Sequence, residues 1–221
     1  MTDRTKIPVA ILGNGVVGVS LAKGLSALGH PVIFGTRDVA GAKTRAALAA
    51  VPGARAASFA EAAKAAQLAV VALPWSGLKQ GVEAAGADTL AGKVVIDASN
   101  PLDFVGGKAA LAIGHTDSAG EIVQRLLPGA RVVKAFNTIN AALMVHPKFS
   151  DGTPDMFIAG NDDAAKAEVA ALIEAFGWRA PIDMGDITAS RLLEPLAMVW
   201  IAYAFRNNHW THGFSLLNRK G

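Results

Sequence analysis

The chain contains no cysteine. That absence excludes disulfides, thiolate metal sites and a cysteine nucleophile, and it fits a cytosolic setting. There is one tyrosine, Tyr203, and four residues on stands Asn207. The Tyr-x-x-x-Lys pair with which short-chain carbonyl reductases protonate an alkoxide is therefore missing. Beyond Lys134 the lysines are Lys148, Lys166 and Lys220, none of them on the stretch Ile187 to Phe205, which removes the helical lysine acid of two-domain hydroxyacid dehydrogenases. Glycine-lysine phosphate loops and G-x-S-x-G elbows are missing too. Basic residues number 21 against 18 acidic and are scattered, so no nucleic-acid partner is expected. Long apolar runs are also lacking. Arg191, Glu194 and Pro195 interrupt Ile187 to Phe205, and the uncharged remainder, Leu196 to Phe205, is too short to cross a bilayer. The N-terminal apolar run is short and leads into a glycine turn, so neither a signal peptide nor a membrane segment is expected, and the location is expected to be cytoplasmic. His209 and His212 share a face if the tail is helical, but no third ligand adjoins them, and no metal site is expected.

What is present begins at Ile7 to Leu12, an apolar strand running into Gly13-Asn14-Gly15-Val16-Val17-Gly18. A helix-period run follows (Val16, Val17, Leu21, Leu25, Leu28) and closes at Gly29. A dinucleotide's diphosphate must approach the backbone at a helix N-terminus, where unpaired N–H groups and the positive dipole end meet it. Gly13 permits the turn out of the strand, Gly15 the approach of the phosphates, and Gly18 the packing of helix on strand. NAD-preferring sites carry an acid at the end of the second strand. Here Val32 to Phe34 ends in Gly35-Thr36-Arg37-Asp38. A hydroxyl and a guanidinium bind a 2′-phosphate through charge-assisted hydrogen bonds worth roughly 1.5 to 3 kcal/mol, about ten- to a hundredfold in affinity. The expected cofactor is NADP(H). Asp38, one step further, opposes that preference, and Arg37 as a solvated strand-end charge is the other reading. Lys43 is a further candidate for the phosphate site.

Strand-length apolar runs recur at Val9 to Leu12, Val32 to Phe34, Leu68 to Leu73, Val94 to Ile96, Val132 to Phe136 and Met156 to Ala159. Between them lie helical segments at Ala40 to Ala50, Ala60 to Ala66, Leu78 to Ala84, Glu121 to Leu127 and Ala164 to Phe176. This alternation predicts an α/β fold with a doubly wound parallel sheet, its strands buried on both faces. The stretch Ser99 to Thr116 reads as one long irregular connection. In such sheets ligands lie outside the carboxyl ends of the strands. Leu73, Pro74 and Trp75, then Asn100 and Pro101, then Ala135, Phe136, Asn137, Thr138 and Ile139 are therefore candidate cofactor contacts. Each is equally readable as an ordinary turn residue, except that three such ends converge on one edge.

No side chain is expected to act as catalytic acid. Hydride passed to a flat redox ring rests on proximity and orientation, with no alkoxide to protonate. Trp75, Phe136, Ile139, Trp200 and the segment Trp210 to Leu217 are candidates to line an apolar slot for that ring, although Phe136 and Trp200 also suit the core.

Gly13 to Gly18, Gly35-Thr36-Arg37, Val132 to Ile139, Ala159-Gly160-Asn161-Asp162-Asp163 and Met184 to Glu194 resemble the coenzyme F420-dependent NADP oxidoreductase family. They are also similar to the cytosolic reductase domain of the STEAP metalloreductases. The resemblance implies a Rossmann domain, residues 1–185, and a small helical C-terminal lobe, residues 186–221, that covers the site or forms a dimer contact. It further implies NADP(H) as cofactor, F420 or FAD/FMN as the second redox partner, Asn137 to Ile139 beside the nicotinamide, and a homodimer. Asp38-Val39-Ala40 departs from the basic residues that archaeal members carry there. A reductase of a small imine or quinone, and an NADPH-binding regulatory module without turnover, are the alternatives.

Overall fold

The computed structural model describes residues 6–217, so the last residues of the expected C-terminal lobe, 218–221, lie outside it. The first strand, β1 (Val9–Leu12), shows why the sheet sits where it does. All four side chains are at most 1% exposed. Val9 and Ile11 enter one apolar cluster while Ala10 and Leu12 enter another, because successive side chains point to opposite faces. Burying each large aliphatic chain in this way stabilises the fold by about 1.5–3 kcal/mol.

The remaining strands are β2 (Val32–Gly35), β3 (Arg55–Ala57), β4 (Leu68–Val71), β5 (Val94–Asp97), β6 (Leu102–Val105), β7 (Lys108–Leu111), β8 (Arg131–Lys134), β9 (Phe157–Gly160) and β10 (Ile182–Asp183). Eight of them form one sheet in the order β10-β9-β8-β5-β4-β1-β2-β3. The chain leaves β1 toward β2 and β3, then returns to β4 on the other side of β1. That reversal makes a switch point between β1 and β4, where strand ends diverge and leave a crevice. Val16–Ala27 (α1), Ala42–Ala50 (α2), Phe59–Ala65 (α3), Trp75–Ala85 (α4), Ala87–Leu90 (α5), Ala119–Leu126 (α6) and Asp163–Ala175 (α7) follow in turn, and Ser190–Asn207 (α8) closes the series.

The fold differs from the sequence expectation in three places. The strand at Met156 to Ala159 exists as β9, but it runs antiparallel to β8, so the sheet is mixed. Its connection, residues 135–156, holds only a 3-10 turn at Ala141–Leu143 and no crossover helix; an antiparallel neighbour requires none. The stretch Ser99 to Thr116 is not irregular throughout: β6 and β7 pair as an antiparallel hairpin. Its turn is Gly106-Gly107, both at positive φ (58° and 77°), as a tight two-residue hairpin turn demands. Finally β3 and β10 were unmarked, being short strands without a continuous apolar run. Among the described residues no helix is long and apolar enough to cross a membrane. Helix α8 continues through Pro195 and buries Leu193, Glu194, Ala197, Trp200 and Ala204.

Candidate functional site: a cleft at the β1–β4 switch point

A cleft of about 270 Å3 opens at the switch point, lined by Gly13, Asn14, Gly15, Thr36, Arg37, Asp38, Gly41, Lys43, Thr44, Phe59, Ala72, Leu73 and Pro74. Its floor is backbone. Gly13 stands at φ +115°, and a β-carbon on it would strike the Ala72 carbonyl. A β-carbon on Gly15 would meet nothing within 4 Å, so this residue leaves open space at the start of α1.

Three helices begin on this cleft, α1 after Gly15, α2 after Gly41 and α4 after Pro74, and none has a side-chain cap or an acidic residue in its first turn. Of the other helices α3 is capped by Ser58 with Glu61, α6 by Ser118 and α7 by Asp162, while α5 and α8 also lack a side-chain cap. Uncapped N-termini leave N–H groups and positive dipole ends free for an anion. The residues present therefore fit a diphosphate.

The wall beside it is polar and braced. Asn14 Nδ2 donates to Thr44 Oγ1 at 2.8 Å and lies 3.5 Å from Thr36 Oγ1; Thr44 Oγ1 donates to the Asp38 carbonyl at 2.6 Å. These bonds hold the β2–α2 turn against the glycine loop. Arg37 and Lys43 are exposed on its rim, and among the described residues neither forms an ion pair. Two such cations on the rim of the cleft suit a phosphate monoester. The Asp38 carboxylate packs onto Gly41 at the start of α2.

Of the candidates named from sequence, Gly13, Asn14, Gly15, Thr36, Arg37, Lys43, Leu73 and Pro74 share this cleft. Val16 is 78% exposed at the first turn of α1, Val17 packs on the core and Gly18 is buried against the Gly13 carbonyl. Trp75 is half-buried at the start of α4. Thr44, Gly41 and Phe59 are additional lining residues that sequence reasoning missed; an α2 first turn so close after the strand was the available signal.

The second half of the site is built differently. Asn100 Nδ2 donates to the Asn137 carbonyl at 2.8 Å, and Asn137 Nδ2 donates to Asn100 Oδ1 at 3.1 Å and to the Leu193 carbonyl at 2.9 Å. Asn137 Oδ1 is buried and has no hydrogen-bond partner among the described residues. Pro101 is buried, and its carbonyl accepts from Ala112 N–H. Ala135 and Phe136 are fully buried, Phe136 at φ +63° with its ring 5.9 Å from that of Phe176. Thr138 and Ile139 are 4% and 8% exposed, and Gly213 of the returning tail faces Ile139, Phe149 and Pro154. The aromatic slot expected from sequence is thus not assembled: Phe136 belongs to the core, and Trp200 stacks on His212 at 4.3 Å. Packing the tail onto α8 and Ile139 removes more apolar surface from water than an open slot would.

Beneath the asparagine pair lies an ion cluster that sequence reasoning passed over. Lys134 Nζ sits 2.8 Å from Asp97 Oδ2 and 2.7 Å from Glu194 Oε1, and donates to the Ser99 carbonyl at 2.7 Å. All three ionisable side chains are at most 1% exposed. Glu194 also accepts from Ala119 and Gly120 N–H, at 3.0 and 3.1 Å, at the start of α6. Burial opposes the charge on Lys134, but the two carboxylates outweigh it and hold the ammonium above its ordinary range. Burial lifts the Glu194 carboxyl above its ordinary value, against the pull of Lys134 and of the α6 amide. The sequence signal was a charge closing each of two apolar strands, VVID and RVVK.

Relatives share this architecture. The model of the family described as NADP oxidoreductase, coenzyme F420-dependent, matches residues 8–101. A crystal structure from Arthrobacter sp. FB24, described as that of a candidate F420-dependent NADP reductase, is 42% identical with a TM-score of 0.91, over 96% of this chain and 100% of that one. Metalloreductase STEAP3 of Rattus norvegicus is 34% identical over 86% of this chain, which spans 36% of that protein's length. The F420-dependent NADP reductase of Methanocaldococcus jannaschii is 27% identical over 72% of this chain and 71% of its own. A glycine cradle with uncapped helix starts, a cationic rim and a near full-length relative at this identity lead to one assignment: the chain belongs to the F420-dependent NADP oxidoreductase family.

Proposed function

We propose that this NADP(H)-dependent oxidoreductase passes hydride between the nicotinamide and a second planar redox ring, F420 or a flavin. The observation that carries the proposal is the convergence of three uncapped helix N-termini and two unpaired cations on one cleft. Gly13 to Gly18 would receive the diphosphate, with Thr36, Arg37 and Lys43 on the 2′-phosphate. Leu73, Pro74 and Trp75 would flank the ribose, and the turns at Asn100, Pro101 and Asn137 to Ile139 would border the nicotinamide, with Ala135 and Phe136 in the core behind them. Bound NADPH supplies a hydride equivalent, two electrons carried with one proton. The chain's own part is to bind, orient and exclude water.

A ring acceptor is favoured over a carbonyl or imine because Asp97, Lys134 and Glu194, the ionisable groups at these strand ends, are paired with one another in complete burial. None presents a proton to a substrate. Residues 186–217 form the described part of the covering lobe in this reading. A homodimer through the exposed α8 face of Leu192, Val199 and Tyr203, in the cytoplasm, completes it.

Calorimetric titration with NADPH and NADH, followed by NADPH oxidation with F420, FAD, FMN and a quinone panel, tests the proposal. Tight NADPH binding with turnover on F420 or a flavin is the expected result. Turnover confined to quinones, or binding without turnover, would overturn the choice of acceptor. Absence of nucleotide binding would overturn the whole.

A further inference from the structure

The same three elements are tied together twice at the nicotinamide end. In the lower layer Asp97 from the end of β5, Lys134 from the end of β8 and Glu194 from α8 form the buried ion cluster. In the upper layer Asn100, Asn137 and the Leu193 carbonyl form an amide cluster. Asp97 and Lys134 are register partners of the parallel β5–β8 pair, and Asn100 and Asn137 each lie three residues beyond them. Leu193 and Glu194 are consecutive on α8. The ionic layer therefore sets the height and spacing at which the amide layer stands. Glu194 extends the brace to a fourth element through its bonds to the first amides of α6.

Between the layers the backbone is held in costly conformations. Phe136 at φ +63° is a bulky residue in the left-handed region, which persists only where its surroundings over-determine it. Lys134 two residues before and Asn137 one residue after are the fixed points.

We propose that Lys134 and Glu194 are positioning residues for hydride transfer. Through the strand ends they hold the Asn100–Asn137 pair in place, and with it the turns after β5 and β8 against which the nicotinamide ring would be oriented. Neither residue touches the ring, and both act through Asn137. The inference rests on the reading of the strand ends as the nicotinamide site.

Such a role separates ring order from nucleotide affinity, because affinity is dominated by the glycine cradle and the cationic rim on the other side of β1. The test uses the full chain as Glu194→Gln, Lys134→Met and the neutral triple variant Asp97→Asn/Lys134→Met/Glu194→Gln. Each is measured by calorimetry with NADPH, by fluorescence anisotropy of the bound dihydronicotinamide, and by kcat and KM with F420 and FMN as probes. Lys134→Met leaves two buried carboxylates facing each other; should it fail to fold, Glu194→Gln and the triple variant carry the test. The expected result for folded variants is an NADPH affinity within about threefold of wild type, lower ring anisotropy and a kcat reduced about tenfold or more, since small misplacements cost catalysis more than binding. Unchanged anisotropy in the folded variants, or affinity and kcat falling together, would overturn the inference. Failure of the wild-type chain to bind NADPH would instead overturn the proposed function, and the inference with it.

Discussion

Gly18 packs so closely under the Gly13 carbonyl that no side chain fits between them. A β-carbon on Gly18 would also lie 3.1 Å from Ile11 Cγ2, while one on Gly15 would meet nothing within 4 Å. The two glycines of one motif therefore serve different ends, Gly18 the folding of α1 onto β1 and Gly15 the approach of a ligand. Gly18→Ala is expected to destabilise the protein by about 1–3 kcal/mol, as overpacking does. Gly15→Ala should change stability by less than about 1 kcal/mol yet weaken NADPH binding severely. Urea denaturation and calorimetry on both variants check the split; equal behaviour would refute it.

Arg37 stands on the cleft rim without an ion-pair partner among the described residues. Arg37→Asp is expected to lower the preference for NADPH over NADH about ten- to a hundredfold, by replacing a charge-assisted bond with repulsion. Lys43→Ala should act in the same direction more weakly. Dissociation constants for both nucleotides at low and high ionic strength measure this, and the preference should shrink with salt because rim charges are screened. Unchanged selectivity in the Arg37 variant would remove that residue from the phosphate site.

Stability should respond to the buried ion cluster in a non-additive way. Removing only the ammonium, as in Lys134→Met, strands two carboxylates and is expected to cost about 3–5 kcal/mol, whereas replacing buried ions together is often nearly neutral. The triple neutral variant should therefore be more stable than Lys134→Met. Chemical denaturation of the two proteins decides it; a triple variant as unstable as the single one would contradict the account.

Two glutamates should give opposite acid responses. Hydrogen bonds from Arg191, 2.8 Å from Glu121 Oε2 at Nε, hold the Glu121 carboxyl below its ordinary 4.5. A lowered acid contributes stability that is present above about pH 4.5 and lost as the pH falls through the lowered value. Glu194, lifted by burial, has the other sign: its contribution is present below about pH 4.5 and lost as the pH rises through the raised value. Glu121→Gln should flatten the acid loss of stability, and Glu194→Gln should steepen it. Thermal melts between about pH 3 and 7 read the slopes, and slopes of the same sign in both variants would count against this assignment.

Local chemistry made much of the molecule legible before any coordinates. The four residues of β1, the glycine turn after it and the Thr36-Arg37 pair are short-range signals, in which periodicity, turn geometry and strand-end charge lie within a few residues of one another. They were enough to place the glycine turn and the cationic rim of the cleft. The hairpin of β6 and β7 was harder, because LDFV and KAAL carry little alternation and only Gly106-Gly107 marks the turn. The direction of β9 was not written locally, since an antiparallel and a parallel strand share the same apolar pattern and differ in how the connection returns. The cluster of Asp97, Lys134 and Glu194 was least visible of all. A lysine ending a strand reads as solvated until the sheet sets β5 beside β8 and α8 closes over both, and that juxtaposition is a property of long-range packing. Composition and short-range pattern thus determined the fold class and most of the residues that line the cleft at the β1–β4 switch point. Tertiary structure alone decided which strand ends are locked together, because burial turns three distant charges into one unit that no local rule connects.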